Sequence, residues 1–166
     1  MMLLVGCTDE RIDAGIDAST LRPCWDVAAS PIDVDLGTGA VVWEALPPFG
    51  GRAELVHGSQ GGYHFYGRVR VRGVAPDVRI AFRVTALVDG RSLAYDELPA
   101  RRFLGAGLQA TTDGYETGAE RVILTAIRQA YEVVGMRVRF EVCVQDVASG
   151  HAAFASREIT IVDEVQ

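Results

Sequence analysis

The chain has 166 residues, of which 49% are apolar and 23% charged, and its formal net charge is −6. This length suits one domain with a single core and excludes two ordinary domains plus a linker. The negative charge argues against a general nucleic-acid-binding protein, and since no apolar run reaches about 18 residues we expect no membrane-spanning helix.

The N-terminus carries a short apolar run that ends in a cysteine, Leu4-Val5-Gly6-Cys7. This run resembles the lipobox of bacterial lipoproteins, whose cysteine is acylated and becomes the first residue of the mature chain. The resemblance implies an exported protein anchored in the cell envelope by a lipid on Cys7. Thr8 stands where an Asp would resemble an inner-membrane retention signal, which favours the outer membrane. No basic segment precedes the run, so we expect a truncated signal.

Residues 8–31 are rich in Asp, Ala, Ser and Thr and show little periodicity, which is typical of a flexible tether. We therefore divide the chain into a signal and tether, 1–31, and a folded domain, 32–166. Two further cysteines, Cys24 and Cys143, either pair in an oxidising compartment or remain unrelated free thiols. Cys143 is out of phase with the apolar residues of its strand, so it should face away from the core, where the N-terminal segment can cover it.

From residue 32 onward, apolar residues recur with period two, which predicts strands. We expect short strands at Ile32–Leu36, Val41–Glu44 and Ala53–Val56. The clearest alternation is in Tyr63–Arg72, where one face holds Phe65, Gly67, Val69 and Val71.

The second half of the chain continues this pattern. Val78–Val88 alternates again, and Arg91–Tyr95 is a candidate edge strand. Residues 120–127 fit either a helix or a strand, although their β-branched side chains favour a strand. Val138–Gln145 and Phe154–Val162 form the last predicted pair. About seven to nine short strands separated by turn signals predict an all-β sandwich of antiparallel sheets.

The final strand pair, Val138–Asp146 and Ile159–Val162, resembles the closing strands of bacterial immunoglobulin-like and PKD-like domains. This resemblance covers about 30 residues and implies an immunoglobulin-like fold without specifying a function. The whole chain also resembles uncharacterised lipoproteins of myxobacteria-like organisms, through Leu36–Gly39 and Gly58–His64. No known activity comes with that second resemblance.

Two histidines flank a glycine-rich segment, Gly58-Ser59-Gln60-Gly61-Gly62. Such a loop binds phosphate when it opens a helix, but here a strand follows and the P-loop residues are missing. The structural alternative is a tight corner that requires glycine. We keep His57, Gln60 and His64 as a candidate ligand loop. We expect no metal and no cofactor, since no third ligand has suitable spacing, and no catalytic motif is present.

Arginines follow the polar faces of the strands in two groups. In an immunoglobulin-like topology, Arg68, Arg70 and Arg72 would lie on the opposite sheet from Arg79, Arg83, Arg137 and Arg139. One interpretation is a solvated face with partners such as Glu141 or Glu158. The other is a patch for the anionic glycans of an envelope. A sugar-binding platform is a further alternative for Trp25, Trp43, Phe49 and Tyr66, although Trp43 lies in a run typical of a core.

These patterns lead to two hypotheses. In the first, the chain is a non-catalytic envelope lipoprotein whose sandwich is a binding module, with the contacts on residues 45–62 and 96–118. In the alternative, it is a structural or accessory subunit that docks in a larger envelope assembly, which an exposed apolar patch would favour. A hydrolase remains a weaker third hypothesis that requires a pocket with a histidine beside a carboxylate.

Overall fold

The computed structural model describes residues 25, 27, 29–59, 61–94, 101–103 and 108–164. Within them lie the 3-10 helix Ala130–Glu132 and twelve strands. The strands are β1 Asp33–Thr38, β2 Glu44–Ala45, β3 Gly51–Glu54, β4 Val56–His57, β5 Tyr63–Arg72, β6 Val78–Ala86, β7 Arg101–Phe103, β8 Leu108–Ala110, β9 Tyr115–Thr117, β10 Glu120–Ile123, β11 Arg137–Asp146 and β12 Ala152–Val162.

The first sheet is built around β5 and has the order β2-β1-β5-β9-β8, with β4 and β10 also paired to β5. All of its pairs are antiparallel. The ladder beside β5 is interrupted where β9 ends and β10 begins. There the fully buried Thr117 accepts a hydrogen bond from the amide of Val69 through its Oγ1, at 3.0 Å. A side chain thus satisfies a backbone donor that no strand reaches.

The second sheet has the order β3-β12-β11-β6-β7. Its long central pairs are antiparallel, whereas β3 runs parallel to β12. The chain leaves this sheet at Leu55, which is fully buried, and enters the first sheet as β4. β3 and β4 therefore join the edges of the two sheets.

The core lies between the sheets and consists mainly of Val, Leu, Ile and Phe side chains. Phe65 of β5 meets Phe140 of β11 edge to face, with ring centroids 5.0 Å apart, and Phe82 stacks on the other side of Phe140 at 5.6 Å. Offset and edge-to-face contacts of this kind are the favoured arrangements of aromatic rings. They bring the two sheets into direct contact.

The all-β class and the two-sheet sandwich predicted from the sequence are confirmed, as are the long strands β5, β6, β11 and β12. Residues 120–123 are a strand, not a helix. Three details of the prediction were wrong. Val41–Glu44 pairs only at Glu44, Ser92 makes a single bridge to Thr85 instead of a strand, and β3 with β12 is not antiparallel. The described strands are also more numerous than expected, and Leu55 divides the predicted strand Ala53–Val56 between β3 and β4.

Candidate functional site

The two histidines of the candidate ligand loop lie apart. In the β4–β5 ladder, His57 pairs with Tyr63 and Val56 pairs with His64. Since neighbouring residues of a strand point to opposite faces, the two imidazoles project from opposite sides of the sheet. His57 is exposed, and its Nε2 lies 2.9 Å from Oδ2 of Asp163. Gln60 lies outside the described residues.

His64 is a buried group with an unusual environment. Its side chain packs edge to face against Tyr66, and within the described part of the chain its Nε2 has no hydrogen-bond partner. Burial is the main cause that lowers the pKa of His64 below its usual 6.5, and the positive charge of Arg121 adds to this effect. The surroundings of His64 therefore favour its neutral imidazole.

Cys143 is fully buried on the outer face of the five-stranded sheet, away from the main core. It is disulfide-bonded. Its neighbours are Trp25, Ala81 and Ala152, so the N-terminal segment covers the cysteine as the phase of the strand suggested. The other two cysteines of the sequence, Cys7 and Cys24, lie outside the described residues.

Trp25 is held in place by a charge pair beneath it. The guanidinium carbon of Arg83 lies 4.3 Å from the centre of the indole, which is a cation–π contact. The Nε of the same arginine donates to Glu141 at 2.7 Å. Glu141 is almost completely buried. The disulfide and this stack together attach the segment that precedes β1 to the sheet.

The arginines of β5 lie on the first sheet and those of β6 and β11 on the second, as predicted. On β5, the Nε of Arg70 donates to Glu116 at 2.7 Å, and the Nε of Arg68 lies 3.4 Å from the other oxygen of that carboxylate. Arg72 pairs with Asp33, Asp35 and Asp113. Three cations thus meet four carboxylates. This row is not the cationic surface that an anionic glycan would need.

The predicted partners of the second sheet are also in place. Arg83 pairs with Glu141 and Arg137 with Glu158. On the first sheet, the side-chain hydrogen bond from Arg72, the last residue of β5, lowers the pKa of Asp113. The arginines of β5, together with Arg83 and Arg137 of the second sheet, are therefore charge-paired.

The loop that joins β1 to β2, residues 39–43, is held by side-chain contacts and is apolar at its tip. Val41 and Val42 are 85% and 62% exposed. Arg68, whose side chain is only 7% exposed, donates from Nη1 to the carbonyl of Val41 at 3.1 Å. Trp43 lies on the outer face of the sheet instead of in the core: Arg70 stacks on it at 4.3 Å, and its ring fills the space above Gly37.

Beside this loop is a notch of about 400 Å³, where the edges of the two sheets meet. We call it the acidic notch. Its charged lining residues are Glu44, Arg52, Glu54 and Glu164, and its apolar ones include Val56 and Val162. Arg52 is paired with Glu164 at 3.1 Å, in an exposed position. Three carboxylates and one cation give the notch a net negative charge.

The four aromatic residues considered for sugar binding are not gathered in one place. Trp25 lies on the outer face of one sheet and Trp43 on that of the other. Phe49 is 71% exposed in the loop before β3, and Tyr66 lines the acidic notch.

Sequence reasoning missed this notch, since its lining comes from residues 38 to 164 and no local spacing signals it.

Among the described residues, no group of three or more His, Cys, Asp or Glu side chains is arranged to hold a metal ion. In the same part of the chain, no helix combines the length and apolar character needed to cross a bilayer. Comparison with models of protein families, with curated proteins and with solved structures found no match.

Proposed function

We propose that this chain is an exported binding module, an immunoglobulin-like sandwich tethered to a membrane by a lipid on Cys7. The observation that carries the proposal is the disulfide of Cys143, buried beneath Trp25. Structural disulfides form and persist in oxidising compartments and are rare in reducing ones. A disulfide that attaches the N-terminal segment therefore supports export, independently of the lipobox resemblance.

The lipid and the disulfide require different cysteines. The chain has three cysteines, so the partner of Cys143 is either Cys7 or Cys24. The lipid of a bacterial lipoprotein is joined to the cysteine sulfur, so a thiol that carries the lipid is not available for a disulfide. The proposal therefore requires that Cys143 pairs with Cys24. Trp25, which directly follows Cys24, packs on Cys143 and supports this pairing.

A binding role is supported by the architecture of the scaffold. The outer faces carry ion pairs, and the sandwich presents its loops at fixed positions, as binding scaffolds do. Between Cys7 and Trp25 lie 18 residue steps. These reach about 60 Å when fully extended, which gives the domain access to partners beyond the lipid surface.

The test is mass spectrometry of the protein from its native membrane fraction, digested without reductant. We expect an acylated peptide that begins at Cys7 and a disulfide-linked pair that contains Cys24 and Cys143. A Cys7→Ser variant should leave the membrane fraction while it keeps the disulfide. A disulfide between Cys7 and Cys143, or an unmodified Cys7 thiol, would rule the proposal out.

A second function, that of an accessory subunit in an envelope assembly, is favoured by an apolar patch at one end of the sandwich. Val88, Tyr131 and Val134 are 81%, 80% and 42% exposed and line one shallow depression. Contiguous exposed apolar surface often marks a contact with another protein. If this function holds, Tyr131→Glu should release the chain from a larger complex in gently solubilised membranes, and Phe49→Glu, at an aromatic residue that is 71% exposed, should not.

A further inference from the structure

We infer that the acidic notch and the apolar tip at Val41 and Val42 form one docking surface. It accepts a protein segment that carries an arginine or lysine beside an apolar residue. The inference rests on the proposed function, because it names the partner class of that binding module. Gly39 and Ala40 line the notch and lead directly into the two exposed valines, so the apolar and acidic parts are continuous.

The first step of the argument is the way the tip is held. The pair formed by Arg68 and Glu116 is nearly buried, and burying such a pair is expensive compared with packing apolar side chains in the same space. Here the buried guanidinium fixes the carbonyl of Val41. As a result, the apolar side chains of the loop point into solvent, although apolar side chains are usually buried in a core.

The second step concerns preorganisation. Gly39 has a φ of +104°, which side-chain-bearing residues rarely adopt, and Trp43 is clamped between Gly37 and Arg70. Because the loop is fixed at both ends and at its centre, little conformational freedom is lost when a partner binds. We therefore interpret the exposed apolar tip as a surface that contacts a specific partner.

The third step is charge complementarity. Glu44, Glu54 and Glu164 face one notch, and Arg52 is the one cation among its lining residues in the described part of the chain. A cationic side chain would be attracted, whereas the anionic headgroups of a lipid surface would be repelled. A second copy of the chain that docked notch to notch would bring like charges together. The occupant that fits is a basic and apolar segment of another protein.

The test uses the ¹⁵N-labelled full chain and a blocked heptapeptide that contains two leucines and two arginines. We expect amide shifts confined to residues 38–44, 52–56 and 162–164. A twin peptide with glutamate in place of arginine, and another with serine in place of leucine, should bind more weakly by about tenfold or more. Equal binding of either twin would overturn the inference.

Variants separate the docking surface from other exposed apolar positions. Val41→Ser combined with Glu54→Gln should raise the Kd of the arginine peptide by about tenfold or more. Val88→Ser, at a residue that is 81% exposed but does not line the notch, should leave it unchanged. Shifts at Val88 and Tyr131, or notch shifts caused by vesicles with anionic headgroups, would contradict the inference. These titrations need no lipid, so their failure is distinct from failure of the lipoprotein proposal.

Discussion

Gly67 of β5 lies directly against the ring of Phe140 on the facing sheet. A Cβ on residue 67 would approach Cζ of that ring to 2.8 Å and Cγ2 of Val122 to 3.0 Å. The ring has little room to yield, because Phe65 and Phe82 contact it from other directions. The two sheets are therefore so close at Gly67 that no side chain fits there.

Gly67→Ala should lower the free energy of unfolding by about 1–3 kcal/mol, the usual cost of overpacking a well-filled core. Urea denaturation followed by tryptophan fluorescence measures this change. Gly118→Ala is the matched control, since nothing lies within 4 Å of a Cβ there. We expect the control to be neutral or slightly stabilising. A Gly67→Ala protein as stable as the unchanged chain would show that the two sheets can move apart at this point.

Glu116→Ala should destabilise the protein by about 3–5 kcal/mol, because it leaves the buried Arg68 without its carboxylate. The exposed pair of Arg52 and Glu164 provides the comparison, and Glu164→Ala should cost no more than about 1 kcal/mol. Chemical denaturation at constant pH measures both effects. A double variant, Arg68→Met with Glu116→Leu, should recover much of the loss. A Glu116→Ala protein that is as stable as Glu164→Ala would contradict the prediction.

Much of the sandwich could be predicted from the sequence because one face of each long strand must be buried. In β5 and β11 this requirement produces a strict alternation in the sequence, and the predicted inner faces are buried. Part of each outer face is buried as well, at His64 and Arg68 of β5 and at Glu141 and Cys143 of β11. The prediction failed for residues 41–43, where an apolar run resembles a strand. There Gly37, on a neighbouring strand, leaves space on the outer face that Trp43 fills. The apolar run alone gives no sign of that fit between side chain and glycine.

The candidate site could not be predicted for a similar reason. Glu116 and Arg68 are 48 positions apart in sequence, and the notch combines both sheet edges with the segment after β12. Local motifs direct attention to His57 and His64 instead, and these lie on opposite faces of one sheet. The position of Cys143 was easier to predict, because the phase of its strand alone places it away from the core.

Reduction of the Cys143 disulfide should lower the free energy of unfolding by about 2–5 kcal/mol. If the partner is Cys24, the closed loop has about 120 residues, for which the chain-entropy model gives a value near the upper end of that range. Urea denaturation with and without reductant measures the loss, and Cys143→Ala should reproduce it without reductant. Trp25→Leu, which removes the cation–π contact but leaves the ion pair of Arg83 with Glu141 in place, should cost about 1–2 kcal/mol or less. A Cys143→Ala protein as stable as the unchanged chain would contradict this role.

His64 should make the stability of the protein decrease as the pH falls. The pKa of His64 is lowered in the folded state, mainly by burial, so below about 6.5 the unfolded chain binds more protons than the folded one. The contribution of the neutral imidazole is complete above the unfolded pKa of 6.5 and is lost as the pH falls towards the folded pKa. Unfolding free energies measured between about pH 8 and pH 5 should therefore decline more steeply for the unchanged chain than for His64→Phe. Parallel curves for the unchanged chain and His64→Phe would mean that His64 takes up its proton without disturbing the fold.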